Sequence, residues 1–234
     1  MIEVSWDRLD RWWLRELASD PAYGAEIGPW LISLLSPQPH SLYLDLGCGE
    51  GRLMHALATK DVRVIGCDLS MLLLRRARQY GPVVRALLPS LAWIKTAGVD
   101  GAYIGLVLEH LEDEIEFFRE TARVVKPKGV MALVINHPIW TAPESSPIED
   151  AGGEMLWRPG TYFGRGKSVE PAGKQKVTFY HRTMADILNA AADTGWQLER
   201  LEERGISAEQ IERIPDYAGQ EHIPRTLGVR WRRK

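Results

Sequence analysis

Between residues 41 and 135 the chain alternates short apolar runs with segments of helical periodicity. The apolar runs span residues 41–46, 62–67, 83–86, 101–108 and 130–135, and the helical segments span 52–59, 71–80 and 112–125. Near-continuous apolar strands that alternate with helices are typical of a parallel sheet covered on both faces. The pattern therefore predicts a doubly wound α/β fold. A helix at 184–193 and two closing strands, 196–203 and 226–232, are expected to follow, with no helix between the two strands.

The composition fits one globular domain over residues 1–234. Of the 234 residues, 45% are hydrophobic and 26% are charged, which suffices for a large buried core. The formal net charge of −2 argues against nucleic acid as a partner. No apolar run approaches the ~18 residues of a membrane span.

The two cysteines, Cys48 and Cys67, lie in apolar surroundings without a CxxC partner. This pattern argues for a reducing compartment and against disulfides or a zinc site. We therefore expect a cytoplasmic protein without a metal site, either a monomer or a homodimer.

Two segments lie outside the alternating core. Helices are predicted at 9–17 and 23–35, and residues 137–176 are rich in Pro and Gly without a clear period. A compact domain rarely keeps so long an irregular segment unless it is a lid, a binding element or disordered. We expect residues 1–36 and 138–176 to form a cap over the active site.

The strongest motif is the loop Asp45-Leu46-Gly47-Cys48-Gly49-Glu50-Gly51 between the first strand and the first core helix. Glycine allows backbone to approach a ligand closely, and the start of a helix offers free N–H groups. Open α/β sheets bind nucleotides at this place. A simple tight turn would need one glycine, so three glycines favour a ligand site.

The spacing indicates which nucleotide binds. A dinucleotide fingerprint reads G-x-G-x-x-G, whereas this loop reads G-x-G-x-G and has Arg52 where the fingerprint has its third glycine. Asp45 would repel a pyrophosphate and attract an amino group, which favours a ligand with a cationic amino-acid end. Asp68 follows the second strand, where a carboxylate can accept from both hydroxyls of a ribose.

In this order the motifs resemble the class I S-adenosylmethionine-dependent methyltransferases. The resemblance runs from about Leu42 to Ile135 and on to the closing strands. Besides the loop and Asp68, it rests on Leu108-Glu109-His110 after the fourth strand and on Lys126-Pro127-Lys128-Gly129 before the fifth. It implies a Rossmann-like, mostly parallel sheet of seven strands with the last strand antiparallel.

The resemblance also implies S-adenosylmethionine as the cofactor and S-adenosylhomocysteine as the product. Asp45 would support the methionine portion, Asp68 would hold the ribose and Leu69 would pack on the adenine. The residues placed against the methionine portion are Gly47, Cys48, Gly49 and Gly51.

One departure from the family pattern concerns the adenine. Many members carry an acid just after the third strand, but here the chain reads Arg85-Ala86-Leu87-Leu88-Pro89. Ala86 and Leu87 would then hold the adenine by backbone and apolar contacts. In the family, N-terminal helices close over the cofactor, which makes Tyr23 a further candidate cofactor contact.

Three histidines are candidate catalytic residues. His110 follows the fourth strand, His137 follows the fifth and His181 precedes the next helix. Histidine can act as a base or orient a substrate near neutral pH. The pairing of His-Pro after the fifth strand with His-Arg-Thr before the helix resembles a subgroup of small-molecule methyltransferases. For each histidine a purely structural role stays open.

The candidate substrate contacts come mainly from the cap. Aromatic side chains on an irregular segment suit a lid over a planar or apolar substrate, although they could equally anchor the loop. The candidates are Trp13, Trp157, Tyr162 and Arg182.

The predicted function is methyl transfer from S-adenosylmethionine to an unidentified small molecule. One alternative is a nicotinamide-dependent oxidoreductase, against which the glycine spacing and Asp45 argue. The other is a non-catalytic binding module on the same fold, which the missing adenine acid leaves open.

Overall fold

The computed structural model describes residues 9, 14, 26–172 and 174–234. The helices in these ranges are α1 (Gly28–Leu35), α2 (Arg52–Ala58), α3 (Met71–Ala77), α4 (Glu114–Val124), α5 (Pro138–Thr141), α6 (Met184–Asp193) and α7 (Ala208–Arg213), with 3-10 turns at Leu108–His110 and Pro215–Tyr217. The strands are β1 (Leu42–Leu46), β2 (Arg63–Asp68), β3 (Val83–Arg85), β4 (Val99–Gly105), β5 (Val125–Asn136), β6 (Ser146–Glu149), β7 (Met155–Arg158), β8 (Gly166–Ala172), β9 (Gln175–His181), β10 (Trp196–Arg204) and β11 (Thr226–Arg233).

Seven of these strands form one sheet in the order β10-β11-β5-β4-β1-β2-β3. Strands β1 to β5 pair in parallel, while β11 is antiparallel to both β5 and β10. Leu44 in the central strand pairs with Ile65 on one side and Ala102 on the other. The predicted doubly wound sheet with an antiparallel last strand is confirmed.

Helices cover the sheet on both faces, as continuous apolar strands require. On one face, Phe117 and Phe118 of α4 and Ile187 of α6 are buried against the sheet. On the other, Trp30 of α1 and Met54 of α2 are buried among a second set of side chains from the same strands. Because β1 to β5 run in parallel, the loops that follow them meet along one edge of the sheet.

The segment 137–176, expected to be irregular, contains regular elements in its described part. It contains the short helix α5 and two antiparallel hairpins, β6–β7 and β8–β9. The strands of the first hairpin are largely exposed and therefore lack the alternation of apolar and polar residues that reveals a half-buried strand.

The linker between β10 and β11 also differs from the prediction, since it contains α7. Ser207 and Gln210 form a capping box at the start of this helix, and none of its residues is buried. A six-residue helix without an apolar face leaves no periodic signal. The predicted N-terminal helix at 9–17 lies almost wholly outside the described residues.

Candidate functional site

A cavity of about 590 Å³ opens along the edge where β1, β2, β3 and β4 end. Its walls come from four segments of the chain. They are residues 47–50 with Arg52, residues 68–69 with Leu73, residues 86–89, and residues 105–107 with 110–113, and Tyr180 completes the lining. The loops of four successive core strands therefore contribute to one site, as expected for an open α/β sheet.

Two glycines of the glycine loop adopt backbone conformations, and lie close to neighbouring atoms, in ways that other residues do not tolerate. Gly47 has a φ of +79°, and a Cβ there would lie 2.5 Å from Cγ2 of Val107. Gly51 has a φ of +88°, and a Cβ there would lie 2.9 Å from the Cα of Ala77 in α3. Any other residue would be strained in both conformation and space at these two positions. The loop thus turns tightly into α2 and forms one wall of the cavity.

Asp68 lies at the end of β2 and links two parts of this wall. One carboxylate oxygen accepts from the backbone N–H of Gly49 at 2.9 Å, and the other accepts from the N–H of Ser70 at 2.8 Å. Burial raises the pKa of Asp68, and these backbone hydrogen bonds oppose the rise. Each carboxylate oxygen has a second lone pair that can accept from a ligand hydroxyl in the cavity.

Asp45 lies beneath the loop and is 2% exposed. Burial raises its pKa to about 8, the Tyr103 hydroxyl opposes the rise, and the charges of Asp68 and Glu50 add to it. Asp45 is not among the described residues that line the cavity. The role beside the methionine portion that the resemblance implied for Asp45 therefore stays a prediction.

Another part of the lining is apolar. It consists of Leu69, Leu73, Ala86 and Leu87, of which Leu87 is 60% exposed. No acidic residue occurs at 86–89, so a planar ring in this part of the cavity would be held by packing and backbone groups.

His110 is the predicted catalytic histidine that lines the cavity. Its Nδ1 lies 2.9 Å from the backbone oxygen of Thr178 in β9, and the Phe179 ring packs on the imidazole with centroids 4.6 Å apart. A carbonyl oxygen can only accept, so in this hydrogen bond Nδ1 carries the proton. The neutral ring then has Nε2 as its basic nitrogen.

His137 and His181 do not line this cavity in the described part of the protein. His137 is buried, accepts from the N–H of Ile139 at the start of α5, and contacts Glu203 through Nε2 at 2.7 Å. Burial lowers the pKa of His137, and Glu203 opposes the change. His181 donates from Nε2 to the backbone oxygen of Tyr162 at 2.8 Å and lines a neighbouring cavity of about 280 Å³. Both rings therefore have structural partners, and a direct catalytic role for either one stays a prediction.

Two predicted substrate contacts also have structural partners. The guanidinium of the buried Arg182 donates to the backbone oxygens of Leu108 and Leu111. The Tyr162 hydroxyl accepts from the N–H of Met184 at 3.2 Å. Among the described residues that line the larger cavity, neither Arg182 nor Tyr162 occurs, whereas Arg182 lines the smaller one.

Trp157, predicted to contact the substrate, is not among the described residues that line the larger cavity. Its ring stacks on Trp140 at 4.2 Å, and its Nε1 donates to the backbone oxygen of Ile139 at 3.0 Å. Arg225 lies over the other ring of this pair, 4.1 Å from the Trp140 centroid. The cluster anchors the β6–β7 hairpin to the fold. The predictions for Trp13 and Tyr23 lie outside the described residues.

The sequence did not single out Tyr180, which lines both cavities together with Glu112. Tyr180 follows Thr178 and Phe179 on the inner strand of the β8–β9 hairpin. The hairpin itself went unrecognised, so nothing in the sequence pattern marked its strand as part of the site.

Comparison with known proteins identifies the family. A methyltransferase-domain family matches residues 44–133. A solved S-adenosylmethionine-dependent methyltransferase from Mesorhizobium loti is 31% identical, with a TM-score of 0.77, and the match covers 88% of this chain and 96% of that one. This chain belongs to the S-adenosylmethionine-dependent methyltransferases.

Two curated relatives match this methyltransferase over shorter spans. A trans-aconitate 2-methyltransferase from Azoarcus sp. (strain BH72) is 37% identical over 93 residues, which is 38% of this chain and 37% of the relative. A ubiquinone biosynthesis O-methyltransferase from Hahella chejuensis is 29% identical over 131 residues, or 52% of this chain and 54% of the relative. The chain therefore spans less than two thirds of the length of these two relatives.

The cavity of the methyltransferase fits its cofactor. The close approach of backbone at Gly47, the paired lone pairs of Asp68 and the apolar wall at 86–89 match an amino-acid end, a ribose and an adenine in that order. The nicotinamide alternative does not fit this family. In the described ranges, no helix is long and apolar enough to cross a membrane. The same ranges contain no group of three His, Cys, Asp or Glu residues placed to hold a metal ion.

Proposed function

We propose that this methyltransferase modifies a small-molecule acceptor whose nucleophilic atom carries a proton, and that His110 removes that proton. The observation that supports this most directly is the hydrogen bond from His110 Nδ1 to the backbone oxygen of Thr178 at 2.9 Å. It holds the proton on Nδ1 and leaves Nε2 as the basic atom of a ring that lines the cofactor cavity.

The cofactor contacts follow from the walls of the cavity. The glycine loop would hold the methionine portion, Asp68 the ribose hydroxyls, and Leu69, Ala86 and Leu87 the adenine. When bound, S-adenosylmethionine supplies a methyl group activated by its sulfonium. The protein's own contribution is to align the acceptor and take up its proton, since methyl transfer demands mainly proximity and orientation.

Thr178 has a second role in this proposal. When Nε2 accepts a proton, the ring becomes a cation, and its Nδ1–H bond to the Thr178 oxygen becomes charge-assisted. Such bonds are roughly twice as strong as neutral ones. The β9 backbone would therefore stabilise the protonated base as well as set its tautomer.

We place the acceptor between the two cavities. Tyr180 and Glu112 line both, so the smaller cavity adjoins the larger one near His110. The relatives named for trans-aconitate and for ubiquinone biosynthesis support a small acceptor. The β8–β9 hairpin, which carries Tyr180, would then be the part of the 138–176 cap that covers the acceptor. The two buried free thiols, Cys48 and Cys67, support the cytoplasm as the proposed compartment.

The test combines cofactor binding with methyl transfer. Binding of S-adenosylhomocysteine is measured by calorimetry, and transfer from methyl-labelled S-adenosylmethionine is measured with a panel of small phenols, hydroxy acids and amines. His110→Gln should keep the affinity for S-adenosylhomocysteine within about 2-fold and lower the transfer rate by about 10²- to 10⁴-fold, the usual contribution of a general base. His40→Gln is the matched control, because the His40 side chain is 83% exposed and pairs with the exposed Asp61.

Equal transfer rates for wild type and His110→Gln would show that His110 is not the base. Cofactor binding without transfer to any acceptor in the panel would instead favour the non-catalytic binding module.

A further inference from the structure

The backbone of the turn that carries His110 accepts hydrogen bonds from a buried cation. Arg182 is 5% exposed, and its guanidinium donates to the backbone oxygens of Leu108, at 2.8 Å, and of Leu111. These two carbonyls flank Glu109 and His110 on either side. A single side chain, more than 70 residues away in the sequence, therefore fixes both ends of the segment that presents the proposed base.

Arg182 is in turn the end of a chain of charges. Its Nε lies 3.4 Å from Glu114, which is 3% exposed, and Glu114 accepts from Arg165 at 2.5 Å. Arg165 also lies 3.3 Å from Asp186, whose carboxylate accepts from Thr183 in the capping box of α6. This series of charged side chains connects the His110 turn with α4, the start of β8 and α6.

Burial makes this arrangement costly unless every charge is paired. Burial lowers the pKa of Arg182, and the charges of Glu114 and Glu109 oppose that change. Replacing a buried ion pair by apolar residues often leaves stability unchanged, so stability alone does not explain why such a pair is present. The contacts of Arg182 with the His110 turn suggest what else it does.

Strand β9, which ends just before Arg182, also contacts the imidazole of His110 directly. Thr178 accepts from Nδ1 and Phe179 packs on the ring, while Arg182 follows β9 by one residue. Segment 178–182 thus contacts both the imidazole of His110 and the backbone on either side of it.

We propose that Arg182 is a positioning residue for His110, which holds the Leu108–Leu111 turn so that Nδ1 stays bonded to Thr178 and Nε2 stays the basic atom. This inference rests on the proposed role of His110. Arginine suits the task because its planar fork of five donors can reach two carbonyls and a carboxylate at once, whereas a lysine ammonium is a compact point charge with three donors. The substrate contact predicted for Arg182 from the sequence stays a prediction beside this role, since Arg182 also lines the smaller cavity.

The test reads the tautomer of His110 by nitrogen-15 NMR of the imidazoles, which needs no knowledge of the acceptor. The chain has six histidines, and comparison with His110→Gln assigns the signal. The main variant combines Arg182→Gln with Glu114→Gln, so that the buried Glu114 carboxylate is not left facing a lost guanidinium. The matched control combines Arg119→Gln with Glu116→Gln, an exposed pair on the same helix α4.

Wild type and the control should show His110 protonated on Nδ1. The Arg182 and Glu114 double variant should show a mixture of both tautomers, with the affinity for S-adenosylhomocysteine within about 2-fold of wild type. If the double variant does not fold, Arg182→Lys decides in its place, and the mixture is expected there too.

An unchanged Nδ1–H tautomer in the folded variant would overturn the positioning role and leave the proposed base intact. A wild-type His110 protonated on Nε2 would overturn the proposed base itself. The two failures are therefore distinguishable.

Discussion

At the scale of single residues, the methyltransferase keeps a carboxyl group where burial opposes its charge. Asp45 is 2% exposed, and its pKa is raised from 3.8 to about 8. In the unfolded chain the group ionises near its ordinary pKa, whereas the folded chain retains the proton up to about pH 8. Between these values the folded state binds more protons, so the free energy of unfolding falls as the pH rises.

Asp45→Asn should remove this contribution. We expect the variant to be more stable than wild type at pH 8, with a smaller difference at pH 5, and to bind S-adenosylhomocysteine more weakly because the support of the loop is altered. Urea unfolding at the two pH values measures the stability. The raised pKa of Asp68 acts in the same direction and should leave a residual slope. Asp61→Asn, at a side chain that is 71% exposed, is the control; equal pH slopes for Asp45→Asn and wild type would contradict the prediction.

At the same scale, the sequence could not distinguish the roles of the three candidate catalytic histidines. His110, His137 and His181 were equivalent candidates, because each follows a strand of the sheet or precedes a helix. Their roles depend on what each ring contacts: the Thr178 oxygen, Glu203 and the Tyr162 oxygen, respectively. These partners lie 68, 66 and 19 residues away along the chain, so no local pattern could distinguish the three.

At the scale of elements, the loop between β1 and α2 was predictable because its constraint is local. A positive φ at Gly47 and Gly51 requires glycine whatever the rest of the chain does. The steric part of the constraint, contact with Val107 and Ala77, depends on the tertiary structure.

Gly47→Ala tests that loop. A Cβ 2.5 Å from Val107 Cγ2 at a φ of +79° should force the loop to move, lower the affinity for S-adenosylhomocysteine more than 10-fold and cost about 1–3 kcal/mol of stability. Calorimetry and thermal unfolding measure the two effects. Gly166→Ala is the matched control, since a Cβ there meets no atom within 4 Å. Equal cofactor affinity in the two variants would mean that the loop does not contact the ligand.

The β6–β7 hairpin behaves differently, because its aromatic residues serve packing. Trp157→Ala removes the stack on Trp140 and the hydrogen bond to Ile139. We expect faster amide hydrogen exchange over residues 146–158 and an unchanged affinity for S-adenosylhomocysteine. Trp93→Ala, in the connection before β4, serves as the control for exchange in the hairpin. A large loss of cofactor affinity in Trp157→Ala would instead show that Trp157 contributes to the active site.

At the scale of the whole molecule, the sheet brings five parallel strand ends to one edge, and the cavity occupies that edge. The order of alternating strands and helices along the chain was sufficient to predict this, since parallel strands joined by helices can assemble in few ways. Another part of the site lies outside the sheet, where the β8–β9 hairpin contacts the Leu108–His110 turn.

By itself, the sequence determined the doubly wound sheet, the glycine loop and the position of the Asp68 carboxylate at a strand end. Each of these depends on periodicity or on backbone conformation within a few neighbouring residues, which a sequence displays directly. Only the tertiary structure decided that His110 lines the cavity, that Arg182 holds the turn behind it, and that Trp157 packs on Trp140. These roles arise from contacts between segments distant in the chain, and only the packing of helices and hairpins on the sheet brings such segments together.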